Sequence, residues 1–203
     1  VHIKCRKMNI IIASNNKHKI REIKQILADY PLTIQSLDDF PSIPEPPEEQ
    51  PTFEGNALQK SNFVYNYIQG IVISDDSGLE VDAIGGAPGV YSKRYTKEAT
   101  AEANNTKLVQ VMKDKENRTA RFRCVVAIVW SEGKHFIEGS CEGTIGHSPK
   151  GEEGFGYDPL FIPNGFNGKT MAQITSNEKN TISHRGKAFG QLPKALKDLG
   201  LIP

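Results

Sequence analysis

Asn9-Ile10-Ile11-Ile12-Ala13-Ser14-Asn15-Asn16-Lys17-His18-Lys19-Ile20 decides the fold. Its first five residues are a short apolar run, and over 17–29 Ile20, Ile23, Ile26 and Leu27 recur at helical spacing. A strand therefore runs directly into a helix. Tyr30-Pro31 stops that helix and 32–36 reads as a second strand, which completes a βαβ-like opening. Further along, the pattern predicts helices over 53–68, 100–112 and 184–199, and strands over 71–74, 121–130 and 134–145. The last two strands flank Ser131-Glu132-Gly133 and read as a hairpin. The expected architecture is mixed α/β, a central β-sheet with helices on its sides.

The chain has 203 residues, 37% of them apolar, enough to bury a sizeable core as one domain or as one domain with a small lobe. Its 25 basic and 24 acidic residues leave a net charge of +1, so no strong global field draws it to nucleic acid or an anionic membrane. Cys5, Cys124 and Cys141 lack metal-type spacing and suit buried thiols in a reducing compartment. No apolar run approaches the roughly 20 residues that span a bilayer, and 1–7 is too polar for a signal peptide. The expectation is a cytoplasmic protein, with Met8 a candidate start and 1–7 either an N-terminal extension or native sequence.

Asp75-Asp76-Ser77-Gly78-Leu79-Glu80 follows the apolar run Ile71-Val72-Ile73 and puts two carboxylates at an expected strand end, with Gly78 turning the chain. Ligands of open α/β sheets bind beyond the carboxyl ends of strands, where a metal-binding acid or a general base would sit. An Asp-rich turn is the plainer alternative. In the strand-to-helix loop Ser14-Asn15-Asn16-Lys17-His18-Lys19, backbone N–H groups and the helix dipole suit a phosphate chain, with donors from Ser14 and Asn16 and a cation from Lys19. A simple Ser/Asn helix cap reads equally from the same residues, and the glycines of a Walker A loop are missing.

Asn56 and Lys60 are four apart on one helical face, where they could reach the same phosphate, while for Lys60 by itself a solvated helix face is the plainer reading. Gly154-Phe155-Gly156-Tyr157-Asp158-Pro159 sets two aromatics about a glycine, which suits a nucleobase platform or a core pair at a turn. Lys179 and Ser183-His184-Arg185 offer donors, or a capped helix start with an unusually basic first turn.

Taken in order, these clusters resemble the inosine triphosphate pyrophosphatase family. The motifs are Ser-x-Asn-x-x-Lys at 14–19, Thr-Phe-x-x-Asn-Ala at 52–57, Asp-Asp-Ser-Gly-Leu at 75–79, Gly-Gly-x-Pro-Gly at 85–89, Phe-Gly-Tyr-Asp at 155–158 and Ser-His-Arg at 183–185. They cover nearly the whole chain from Asn9 to about Leu199. Ser14-Asn15 stands where many members carry Thr-Gly; serine keeps the hydroxyl.

The resemblance implies an elongated mixed β-sheet flanked by helices, one domain over 8–203 with two lobes and the active-site cleft between them, and a homodimer. It implies hydrolysis of non-standard purine nucleoside triphosphates (ITP, dITP, XTP) to the monophosphate and pyrophosphate, with cleansing of the nucleotide pool as the outcome. By motif position, Ser14, Asn16, Lys19 and Lys60 hold phosphates within the 14–19 loop and beside it, and Ser77 contacts substrate near the attacked phosphorus. Asp76 is the expected general base and, with Glu48, a ligand of magnesium (Mg2+), with Glu45 and Glu49 as alternatives to Glu48 and Asp75 as a second ligand or a structural partner. Phe155 is expected to stack the base beside Gly156, Tyr157 and Asp158, with Lys179, His184 and Arg185 at its edge. A nucleoside triphosphatase releasing only the terminal phosphate, and a non-catalytic nucleotide sensor, are the two competing readings.

Overall fold

The computed structural model describes residues 8–202, so the extension expected over 1–7, with Cys5, lies outside the described residues. Its strands are β1 (Met8–Ile12), β2 (Leu32–Ser36), β3 (Ile71–Val81), β4 (Thr119–Trp130), β5 (Gly133–Ile145) and β6 (Phe161–Pro163). They form one six-stranded sheet in the order β2-β1-β3-β4-β5-β6. The helices are α1 (Lys17–Ile26), α2 (Phe53–Tyr65), α3 (Ala101–Val111), α4 (Ser176–Ile182), α5 (His184–Gly190) and α6 (Leu192–Asp198).

The opening forms as expected. β1 runs parallel to β2, with Ile10 opposite Ile34, and parallel to β3, with Ile10 opposite Ile71 and Ile12 opposite Ile73. Parallel neighbours require crossover connections that cover both faces of a sheet, and Ile10, Ile11 and Ile12 are accordingly all buried and form an unbroken apolar run instead of alternating. Ile20 and Ile23 bury one stripe of α1, and Thr52 caps α2 by accepting from the Gly55 N–H.

β3 departs from expectation. The strand does not stop at Ser74, and Asp75, Asp76, Ser77 and Gly78 lie inside it. Polar residues read as a turn when water must satisfy them, whereas here they are satisfied by other elements: Ser74 Oγ donates to the Ala57 carbonyl and accepts from Ser61 Oγ at 2.8 Å. The single terminal helix expected over 184–199 is likewise two helices, α5 and α6, with a third, α4, before them. Pro193 lies in the first turn of α6, where its missing N–H costs nothing, and within a continuous helix it would break the ladder. Helix α2 is also shorter than the 53–68 expected.

By contacts the chain divides into two compact units, with boundaries after Asp76 in β3, Cys124 in β4, Glu138 in β5 and Lys187 in α5. The first unit has a core of Ile11, Ala13, Leu37, Ile43, Val64 and Val72. In the second, Leu79, Val81, Leu108, Met112, Phe122 and Phe161 belong to the core. Cys124 and Cys141 are buried thiols outside any disulfide, as their strand positions led us to expect.

Candidate active site

In the first unit, residues that are distant in sequence converge on the middle of β3. Ala13 N–H donates to the Ile73 carbonyl at 2.7 Å, so the loop after β1 leaves the sheet level with Asp75. Asn16 caps α1: its Oδ1 accepts from the N–H groups of His18 at 3.0 Å and Lys19 at 3.2 Å, while Ser14 Oγ accepts from Asn16 N–H at 3.1 Å. The loop's own side chains therefore take backbone donors that the sequence reading left for an anion. The cap sets the first turn of α1, from which Lys19 Nζ reaches Asp75 Oδ2 at 3.0 Å. Asn15, Lys17 and His18 are exposed and stand outside this cluster.

From α2, Lys60 Nζ donates to Glu48 Oε1 at 2.5 Å and to the Asp75 carbonyl at 2.8 Å, and lies 3.9 Å from Asp76 Oδ1. Asn56, one turn earlier, donates from Nδ2 to Asp76 Oδ2 at 2.9 Å and accepts the Gln50 N–H at 2.8 Å. It thus ties the acidic loop to the strand carboxylate, whereas the four-residue spacing from Lys60 had led us to expect both side chains at one phosphate. Among the three candidate glutamates, Glu48 faces the cluster; Glu49 N–H is held by Gln59 Oε1 at 3.1 Å, and both Glu45 and Glu49 are exposed.

Burial pushes the Asp76 carboxyl above its ordinary value, and Lys60, Lys19 and the Asn56 amide pull it back only in part. Burial also works against the Lys60 ammonium, yet Asp76, Glu48 and Asp75 together hold its pKa above the ordinary value. Three carboxylates against two ammonium groups leave the cluster one negative charge. Two oxygen donors reached by one cation fit Mg2+, which takes one or two protein carboxylates and fills its octahedron with water and phosphate. Among the described residues no three acidic, His or Cys side chains are grouped for metal binding; Glu48 and Asp76 share Lys60 as a neighbour.

In the second unit, Asp158 organises the glycine-rich loop. Its Oδ2 accepts from Phe155 N–H at 2.7 Å and from Lys179 Nζ at 2.9 Å. Gly154 has φ +79°, and a Cβ there would stand 2.1 Å from Asp158 Oδ2, so only glycine lets the carboxylate close the loop. Lys179 Nζ lies 4.6 Å from the Phe155 ring centroid and Arg185 Cζ 5.8 Å, so cations already gather on this ring. Arg185 Nη2 also lies 3.5 Å from Ser77 Oγ.

The two aromatics expected to share one platform separate. Phe155 is half-buried at the surface, whereas Tyr157 is a core residue whose hydroxyl donates to the Ser92 carbonyl at 2.9 Å. Ser183 caps α5 by accepting the Gly186 N–H at 3.0 Å, which leaves His184 and Arg185 buried in the first turn. The His184 ring stacks on Phe122 with centroids 4.8 Å apart.

The first unit thus carries a carboxylate–lysine cluster, and the second an aromatic ring flanked by two cations. Residues 10–195 match the model of the Ham1 family, and the chain belongs to that family. Among its relatives, a protein of Exiguobacterium named dITP/XTP pyrophosphatase is 45% identical over 91% of this chain and 95% of its own. One of the same name from Geobacter sulfurreducens is 46% identical over 90% and 94%. The solved Ham1 protein of Staphylococcus aureus superposes with a TM-score of 0.85 at 37% identity, covering 94% of this chain and 99% of that one. The nucleoside-triphosphatase / dITP/XTP pyrophosphatase of Mycobacterium abscessus gives 0.75 at 38% identity, covering 91% and 98%. The resemblance read from the six motifs and the mixed α/β fold class are both borne out.

Proposed function

We propose that this protein hydrolyses dITP, XTP and ITP to the corresponding monophosphate and pyrophosphate, removing non-standard purines from the nucleotide pool. The observation that carries this reading is a single ammonium, Lys60 Nζ, set 2.5 Å from Glu48 Oε1, 2.8 Å from the Asp75 carbonyl and 3.9 Å from Asp76 Oδ1. Such a cluster keeps a carboxylate beside the reaction and ammonium groups beside the departing pyrophosphate, and its net negative charge suits a divalent cation that completes the neutralisation. The names of the relatives agree with it.

Water attacks the α-phosphorus, the bond to the bridging oxygen breaks, and its electron pair leaves with pyrophosphate. Asp76 takes the water proton; burial raises its pKa and so improves it as a base near neutral pH. Asn56 holds Oδ2 of that carboxylate, and Lys60 lies 3.9 Å from Oδ1. Lys19 and Lys60 bind the phosphates, with Ser14 and Asn16 shaping the loop from which Lys19 projects. Glu48 and Asp76 would hold Mg2+, which supplies positive charge to the phosphate oxygens. Ser77 touches substrate near the attacked phosphorus.

Phe155 stacks the purine, within a loop completed by Gly156, Tyr157 and Asp158. Lys179, His184 and Arg185 offer donors to the 6-oxygen of hypoxanthine and xanthine. Adenine carries a donor amino group there, and leaving buried donors unpaired disfavours it, by up to about 10⁴-fold in well-built sites. We further propose a cytoplasmic homodimer over 8–203, with nucleotide as its partner in place of nucleic acid or membrane; the near-neutral charge supports the latter. No helix among the described residues is long and apolar enough to cross a membrane. Light scattering on the purified protein tests the dimer.

The test of function is to incubate the protein with dITP, XTP, ATP or GTP and Mg2+ and to identify products for wild type and Asp76→Asn. Monophosphate plus pyrophosphate from dITP and XTP, little from ATP, and a collapse in the variant are expected. Diphosphate plus phosphate would make it a terminal-phosphate hydrolase, and binding without turnover a sensor.

A further inference from the structure

We propose that Asn105, on α3, is a positioning residue for purine recognition: it pins the Gly156 carbonyl and thereby sets the loop that presents Phe155. This inference rests on the reading of Phe155 as the base platform. Asn105 Nδ2 donates to Gly156 O at 2.9 Å, and the side chain is buried, with 8% of the residue exposed. Gly156 has φ +62°, a left-handed conformation that glycine adopts without strain, and the space beside it is open, since a Cβ there would meet nothing within 4 Å. Asn105 supplies this turn with a hydrogen bond from outside the loop.

The other end of the same amide makes the case. Asn105 Oδ1 is buried and has no hydrogen-bond partner among the described residues. A buried acceptor without a partner costs stability, and Asn is a poorer helix former than Leu in the interior of α3. A side chain kept for packing alone would be apolar. Its neighbour Asn104 shows the contrast: Oδ1 accepts from Thr96 N–H at 2.9 Å, and Nδ2 donates to the carbonyls of Ser92 at 3.3 Å and Lys93 at 3.1 Å. Asn104 is thus satisfied at both ends and builds the frame, including the Ser92 carbonyl that also receives the Tyr157 hydroxyl. Asn105 spends one end of its amide to hold Gly156.

Asn105→Leu removes the donor while keeping a buried side chain that favours helix. The expected result is a KM for dITP raised about fivefold to tenfold, the size of one lost neutral hydrogen bond, with kcat within about twofold and Tm unchanged or higher. Weaker binding of deoxyinosine monophosphate by the same factor, measured by calorimetry without turnover, should accompany it. Asn105→Gln, which retains the donor, should recover part of the loss. Phe155→Ala separates this inference from the reading beneath it. If Phe155→Ala raises KM and Asn105→Leu does not, the positioning role is overturned while the platform stands; if Phe155→Ala leaves KM unchanged, both fall. A loss of Tm with kcat and KM moving together would show Asn105 to be only structural. Should Asn105→Leu fail to fold, Asn105→Asp, of the same shape and without the donor, carries the same comparison.

Discussion

Asn56→Leu is the sharpest perturbation of the carboxylate cluster, because the residue is 1% exposed and both ends of its amide are used. The substitution removes a hydrogen bond to the Asp76 carboxylate, of a kind that contributes about 1.5–3 kcal/mol, and a neutral one from Gln50 N–H of about 1 kcal/mol. Leucine fills similar space and is the better helix former, which returns a few tenths of a kcal/mol. Stability should therefore fall by about 2–4 kcal/mol, read as a lower midpoint in urea with an unchanged slope. Activity should fall further, by about 10²-fold at pH 7, because Asp76 and the Glu48 loop both lose their tether and small misplacements are expensive. The pH profile gives the distinguishing sign. Asn56 donates to the ionised carboxylate and so holds the Asp76 pKa down; without it, the acid limb of kcat/KM must move to higher pH. Pyrophosphate release measured from pH 5 to 10 at fixed Mg2+ reads that limb. An acid limb that stays in place, with stability changed by less than about 0.5 kcal/mol, would refute the reasoning.

Asp76→Asn should abolish turnover yet leave the protein no less stable at pH 7. Its carboxyl has a folded pKa above the ordinary 3.8, so the folded state holds this proton more tightly and stability is lost as pH rises through that window. The Tm of the variant relative to wild type should climb from pH 4 to pH 7, and a relative fall would contradict the raised pKa. Gly154→Ala places a Cβ 2.1 Å from Asp158 Oδ2 at φ +79°, so it should cost about 2 kcal/mol or more and raise KM for dITP; unchanged thermal melting and KM would show that the loop yields freely. Arg121→Ala breaks pairs with Asp82 at 2.9 Å and Glu142 at 3.0 Å, but these groups are part-exposed, so a loss of at most about 1 kcal/mol and no change in kcat/KM are expected. A larger loss by urea titration would mean that the pairs act as a network.

How far the sequence could be read depended on who satisfies each polar group. The β1–α1–β2 opening was legible because its signals are local: an apolar run, a 3.6-residue stripe, and an Asn cap whose partners lie two and three residues on. The continuation of β3 was not, because Asp75 and Asp76 are satisfied by Lys19, Lys60 and Asn56, and nothing in a window around them announces partners 15 to 60 residues away. The choice of Glu48 over Glu49 turned on a side-chain direction that spacing alone does not contain. Tyr157 reads as a twin of Phe155 in sequence, yet a glycine at φ +62° between them sends one ring to the surface and the other to the core. The break between α5 and α6 was signalled by Gly190 and Pro193 and outweighed by the apolar stripe around them.

The cost of the two polar centres is itself evidence for what they do. Lys60, Asp75 and Asp76 are 6%, 2% and 6% exposed, and buried ion clusters are often replaceable by apolar side chains with no loss of stability or with a gain. The core around β3 shows the apolar solution on either side, with Ile73 and Leu79 fully buried. Keeping three carboxylates and two lysines in that setting is hard to explain by folding, since burial holds Asp76 with a raised pKa and works against the Lys60 ammonium that the three acids offset. Asn105 follows the same logic on a smaller scale, with one amide oxygen left unsatisfied so that its nitrogen can hold Gly156. Stability–activity trade-offs of this kind concentrate where charge is handled or a ligand is oriented. In this chain they fall on the motifs expected to meet phosphate and, through Asn105, on the loop expected to meet the purine.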